Sequence, residues 1–345
     1  PFNVFKAILR HPNLFFQFAM RLSPQSFMDL YAIDKEFHYR LNKYSTSLVH
    51  DYAEYHAPES AYVFSWTLFP HLCISDPILK PMDERPHLAR DIPSFRWVRL
   101  VLHRDKVVDD ILAELALGGL RLPQEAKKVV MKFWVLMESK TQALREAFLR
   151  DTEIWSDNDI LIFHQFLIKL DMLSESPIKG LGLCELSALL LTQRSLTTLR
   201  DVLVRNLCLT YDELGEMMVV TYPMQSLDTS TATWLEDELD SDIPEETWGI
   251  LHREGWDPMG QYMDSALDLV LIEGLRRRLH VRRHERLVCL MMDGFVDAEL
   301  QNLPLVRRGL GDERMREVQW PHEEERKEAI ASLDRLWVQG NEEFD

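Results

Sequence analysis

A chain of 345 residues, 46% of them hydrophobic, can bury the core of one large helical domain or two smaller ones, which excludes global disorder. Its 39 basic and 56 acidic residues leave a net charge of −17. That balance repels polyphosphate surfaces in general, so contact with nucleic acid requires a local basic patch. The four cysteines, Cys73, Cys184, Cys208 and Cys289, stand far apart without a CxxC pair. They give neither a zinc cage nor a disulfide framework and point to a reducing compartment inside the cell, cytoplasm or nucleus. No apolar run reaches the ~18 residues of a membrane span, because stretches such as 160–170 are interrupted by His164, Gln165 and Lys169. No secretory signal can be read at Pro1.

The first elements in chain order carry the most specific signal. Pro12-Asn13-Leu14 opens a short helix with Phe15, Phe18 and Leu22 apolar, and Ser23-Pro24 breaks it. A second helix begins at Gln25-Ser26-Phe27 and runs through Leu30 and Ile33 to Asp34-Lys35-Glu36-Phe37. Two helices this short cannot bury both apolar faces against each other, so they pack on the rest of the chain or on another protein.

The arrangement resembles the F-box, a family whose motif is a proline-led helix, a Leu-Ser/Pro-Pro break and a Leu-x-x-Leu-x-x-Val helix. A small residue, a lysine, any residue and an aromatic follow. Pro12, Leu14, Phe18, Leu22-Ser23-Pro24, Phe27, Leu30, Ile33, Lys35 and Phe37 align with it without a gap. Asp34 stands where Cys or Ser is usual, and His11 replaces the common Leu or Pro. The resemblance is confined to the N-terminal segment. It implies docking onto the Skp-type adaptor of a cullin-RING ubiquitin ligase, with the cullin reached through that adaptor and an unknown protein substrate recruited by the rest of the chain. Pro12, Leu14, Phe18, Leu22, Pro24, Phe27, Leu30 and Ile33 would then form the docking surface. The residue pattern alone also fits ordinary core helices of a larger domain.

Beyond this segment helical periodicity continues. Residues 58–93 are rich in proline and aromatics and read as an irregular, packed connection. His103-Arg104-Asp105 spells a kinase catalytic-loop tripeptide, but Asp110 replaces the required Asn and no Gly-rich loop precedes it, so it is a chance match. Pro123 is placed to start a helix over 124–149, whose Val129, Val130, Phe133, Leu136, Met137, Leu144 and Phe148 mark a buried stripe. Ser156 with Asp159 caps a helix over 157–173, and Thr210 with Glu213 caps another over 214–220. Gly180 and Gly182 belong to a turn, and acidic residues concentrated in 228–246 make a solvated linker.

Pro258 opens a helix over 259–280. Arg276, Arg277, Arg278, Arg282, Arg283 and Arg286 follow as one basic cluster, suited to an anionic partner or to pairing with the protein's own carboxylates. His280 and His284 share the spacing of a zinc pair, but Val281 stands where the glutamate of HExxH belongs and the arginines repel a cation. Trp234, Trp248, Trp256, Trp320 and Trp337 seal a C-terminal core or anchor an interface.

These readings converge on an all-α protein in which F-box-like helices precede an irregular helical body. The expected segments are 1–55 for docking, 56–227 for the body, 228–246 for the acidic linker and 247–345 for a C-terminal helical region. No catalytic constellation, cofactor motif or metal site emerges, so a non-catalytic adaptor is expected. The alternative is a structural subunit of a multiprotein or ribonucleoprotein assembly that makes contact through the arginine cluster.

Overall fold

The computed structural model describes residues 3–75, 91–175, 186–193, 195–207, 209, 263–279, 284–296 and 301–303. Helices dominate them, and the all-α expectation holds. Two compact units, Pro1–Lys106 and Val107–Asp345, divide the chain. The first unit therefore extends well past residue 55, a position that falls in the last turn of a helix.

The first unit opens with α1 (Val4–Arg10), α2 (Pro12–Met20), α3 (Pro24–Ile33), α4 (Lys35–Lys43), α5 (Ser45–His56) and α6 (Pro58–Val63). Their ends are written in the sequence. Pro12, Pro24 and Pro58 sit in the first turns of α2, α3 and α6, where the missing amide donor costs nothing. The Asn3, Ser23 and Asp34 side chains accept from the backbone amides of Lys6, Ser26 and Phe37 and start α1, α3 and α4. Asp34, one of the two departures from the F-box pattern, is thus the cap of the next helix.

Residues 64–75 and 91–93 correct the expectation of an irregular connection. Two short 3-10 turns, Trp66–Leu68 and Pro70–Leu72, lead into β1 (Cys73–Ser75), which pairs antiparallel with β2 (Asp91–Pro93) with Ile74 opposite Ile92. α7 (Phe95–Leu117) follows, and its buried Trp97 donates from Nε1 to the Phe64 carbonyl at 2.7 Å.

The second unit contains the later part of α7, then α8 (Ala126–Glu138), α9 (Gln142–Arg150), α10 (Asp157–Glu175), α11 (Leu186–Leu191) and α12 (Thr197–Leu203). Among the described residues α13 (Ala266–Arg276) and α14 (His284–Met292) follow. The single helix expected over 124–149 is two. Ser139 turns its hydroxyl back onto the Val135 carbonyl at 3.0 Å, and Thr141 caps a new start by accepting from the Leu144 amide. Leu144, expected inside, is consequently exposed. The Arg145 guanidinium fills the break, donating to the carbonyls of Met137, Ser139 and Asp264.

α10 follows its sequence reading, with Ser156 and Asp159 capping one another reciprocally. Its interrupting polar residues have a different place from the one their chemistry suggests: His164, Gln165 and Lys169 are all buried. The helix expected over 259–280 begins instead at Ala266, capped by Ser265, and ends at Arg276. Among the described residues no helix is long and apolar enough to cross a membrane.

Candidate docking surface

α2 and α3 each present one face inward. Phe15, Ala19 and Met20 of α2 and Phe27 of α3 are buried with Phe37 and Tyr52, and Phe27 meets both of those rings edge to face at 5.4 and 5.1 Å. Backbone groups at the end of α2 are tied down as well. The Tyr52 hydroxyl donates to the Leu22 carbonyl at 2.7 Å, and the His56 ring meets the Met20 carbonyl at 2.9 Å. Burial pushes the Tyr52 hydroxyl up to about 12, so it remains a donor at every physiological pH.

The opposite face carries most of the motif. Leu14 is 52% exposed and Ile33 78% exposed, while Phe18, Leu22 and Leu30 are half-buried and Pro12 and Pro24 are exposed. Phe27 is the correction: at 0% exposure it belongs to the chain's own core and offers nothing to a partner. The sequence reading missed Val4 and Met28, apolar side chains exposed on α1 and α3. Position supplied no clue, since neither falls on a motif step. Phe5 packs edge to face on Phe18 at 5.9 Å, which brings α1 against α2 and leaves Phe18 half covered.

The arginine cluster begins at the end of a helix. α13 stops at Arg276, and Arg278 has a left-handed φ of 57°, so the chain turns out of the helix there. Arg277, only 10% exposed at its side chain, donates to Glu273 and Asp157 and to the carbonyls of Leu149 and Trp155. Burial opposes its charge, but the hydrogen bonds to Glu273 and Asp157 outweigh it and hold the guanidinium charged. Arg276 pairs with the same Glu273 at 2.9 Å and is half exposed. Arg277 is therefore a clasp on its own unit, and Arg278 is exposed. Arg286 lies on α14. Arg282, Arg283 and His280 lie outside the described residues, as do Gly180, Gly182, the 210–220 helix, the acidic linker and the five C-terminal tryptophans.

The His103-Arg104-Asp105 match serves packing. Arg104 lies over the rings of Phe64 and Phe69, and Asp105 accepts from the Ser60 hydroxyl at 2.9 Å. His50, Asp51 and Glu54 are the one group among the described residues whose ligand atoms lie close enough to hold a metal. They sit on the partly solvated face of α5, where His50 pairs with Glu54 at the ordinary helical spacing. No protein-family model matches the chain, and neither a curated protein nor a solved structure matches it.

Proposed function

We propose that this chain is a non-catalytic adaptor that docks through α2 and α3 onto the Skp-type subunit of a cullin ubiquitin ligase and recruits a protein substrate with the remainder. The observation that carries the reading is the coincidence of motif and exposure. Leu14 and Ile33, two motif positions, stand in solvent on helices that Phe15 and Phe27 anchor from behind. The helical backbone that carries them is already ordered, so the ordering cost of covering them falls on the side chains alone.

On this reading the docking set is Pro12, Leu14, Phe18, Leu22, Pro24, Leu30 and Ile33, with Phe27 as its structural backing. Full burial of a Leu or Ile side chain contributes about 1.5–3 kcal/mol gross, so Leu14 and Ile33 dominate the gain. Net affinity is smaller after the cost of association. The functional effect is a raised effective concentration of substrate beside the ligase, which needs no reacting group in this chain. The reading requires a compartment that contains cullins, inside the cell.

Co-expression of the full chain with a Skp-type adaptor, followed by size-exclusion chromatography, tests this. Co-elution is expected, and Leu22→Asp or Leu30→Asp should release the adaptor while the chain retains its helical circular dichroism. A folded wild-type chain that elutes without the adaptor would refute the docking.

A further inference from the structure

The charge of this protein is segregated. Its first 43 residues hold Lys6, Arg10, Arg21, Lys35, Arg40 and Lys43 against Asp29, Asp34 and Glu36, a net +3 in a chain of −17. These cations lie among the exposed apolar positions. Lys6 and Arg10 are one turn apart on the solvent face of α1, the helix that packs on Phe18. Arg21 follows Phe18 by three residues, and Lys35 follows Ile33 by two.

Arg40 pairs with Glu36 at 3.7 Å, and many cations of the second unit are paired in the same way. There Lys127, Lys132, Arg150, Arg200, Arg276 and Arg277 each meet a carboxylate. The exposed Lys140 and Arg278 do not, and around α1–α3 such cations gather in one segment. Among the described residues Lys6, Arg10, Arg21 and Lys35 have no carboxylate partner, although the chain as a whole has an excess of acid. Arg21 donates to the Gln17 carbonyl and side chain, and Asp29 is taken by Gln25. A face that keeps exposed cations unpaired in an acidic protein retains its local positive potential for a partner.

From this we infer that the occupant of the α1–α3 face is a protein whose apolar groove is rimmed by carboxylates, and that Lys6, Arg10 and Lys35 steer its arrival. The inference rests on the docking proposed above and adds the chemistry of the partner. A protein groove fits better than a uniformly anionic surface. Asp29 stands one turn before Ile33, and Glu36 three residues after it, so the apolar residues are flanked by both signs. Steering of this kind acts on the association rate, weakens with salt and leaves dissociation to the apolar contacts.

The test is stopped-flow association of the full chain with a purified Skp-type adaptor across about 20–500 mM salt. The wild-type on-rate should fall about tenfold or more over that range. In the variant Lys6→Glu/Arg10→Glu/Lys35→Glu the low-salt rate should fall by about tenfold, its salt dependence should flatten, and the off-rate should stay within about twofold. All three side chains are exposed, and Lys6→Ala/Arg10→Ala/Lys35→Ala gives a neutral control for folding. An on-rate indifferent to both salt and variant, in a complex that Leu14→Asp still breaks, overturns the charge inference and leaves the docking intact. No wild-type complex at all removes both. Loss of binding to anionic vesicles in the Glu variant, with adaptor rates unchanged, assigns the cations to a lipid surface and also overturns it.

Discussion

Replacing Lys169 by Met should change both the stability of the second unit and its pH dependence. Lys169 is wholly buried on α10, where its amine donates to the carbonyls of Arg121 and Asp293 and lies 5.9 Å from the centre of the Phe295 ring. Burial pushes the ammonium down to about 8, with Asp293 opposing the shift and Arg121 adding to it. The unfolded chain keeps that proton up to about 10.5. Between these values the unfolded state binds more protons, so stability rises with pH. At about 1.4 kcal/mol per tenfold change, the penalty present below pH 8 is about 3 kcal/mol, and about 2 kcal/mol of it is relieved between pH 7.5 and 9.5. Lys169→Met leaves the buried Arg121 carbonyl without this donor, at a cost of about 1–3 kcal/mol, takes it from the partly solvated Asp293 carbonyl as well, and abolishes the titration. Urea denaturation of both proteins across pH 7.5–9.5 should show the wild-type advantage widening by about 2 kcal/mol. A constant difference would refute the assignment. Tyr52 does not interfere in this window. Its raised pKa stabilises the fold fully below about pH 10, and that contribution is lost only as pH climbs through about 12.

Three further outcomes follow from the packing. Arg277→Ala should lower stability by about 2–4 kcal/mol in denaturant titration, because it takes the donor from the Leu149 and Trp155 carbonyls and leaves the buried Glu273 with only the half-exposed Arg276, whereas Arg276→Ala should cost less than about 1 kcal/mol. Gly294 has a φ of 81°, and a Cβ there would lie 2.7 Å from the Arg121 carbonyl oxygen, so Gly294→Ala should lower the thermal midpoint by several degrees. Phe27→Ala should cost about 3–5 kcal/mol, while Ile33→Asp should leave the midpoint within about 1–2 °C of wild type. Equal effects would contradict the division of the motif into a buried and an exposed half.

The sequence was most informative where its signals were local. The reciprocal Ser156–Asp159 cap, the prolines opening α2 and α3, and the apolar steps of α8 all depend on residues within a turn of each other, and all appear as expected. What escaped depends on distant partners. The break between α8 and α9 is held by Arg145 and Gln142 reaching Asp264, about 120 residues away, so periodicity alone ran the helix through it. Lys169 and Gln165 were legible only as interruptions of an apolar run, because their partners at Arg121, Leu290 and Asp293 come from other parts of the chain. The arginine run left an anionic partner and the protein's own carboxylates both open, and it is the distant Asp157 together with Glu273 that makes Arg277 a clasp beside the left-handed turn at Arg278. At the docking face, spacing found the helices and their apolar residues. It could not tell Phe27, which the Phe37 and Tyr52 rings enclose, from Leu14 and Ile33, which stay exposed.

Isothermal titration of the full chain with a purified Skp-type adaptor is the most direct measurement. Binding at micromolar affinity or tighter is expected, and Leu14→Asp/Ile33→Asp should weaken it by about 100-fold or more, a loss of about 2.8 kcal/mol. The same double variant should keep the wild-type thermal midpoint, since both side chains already stand in water. A folded wild-type chain that takes up no adaptor, or a double variant that binds as tightly as wild type, would contradict docking through this face.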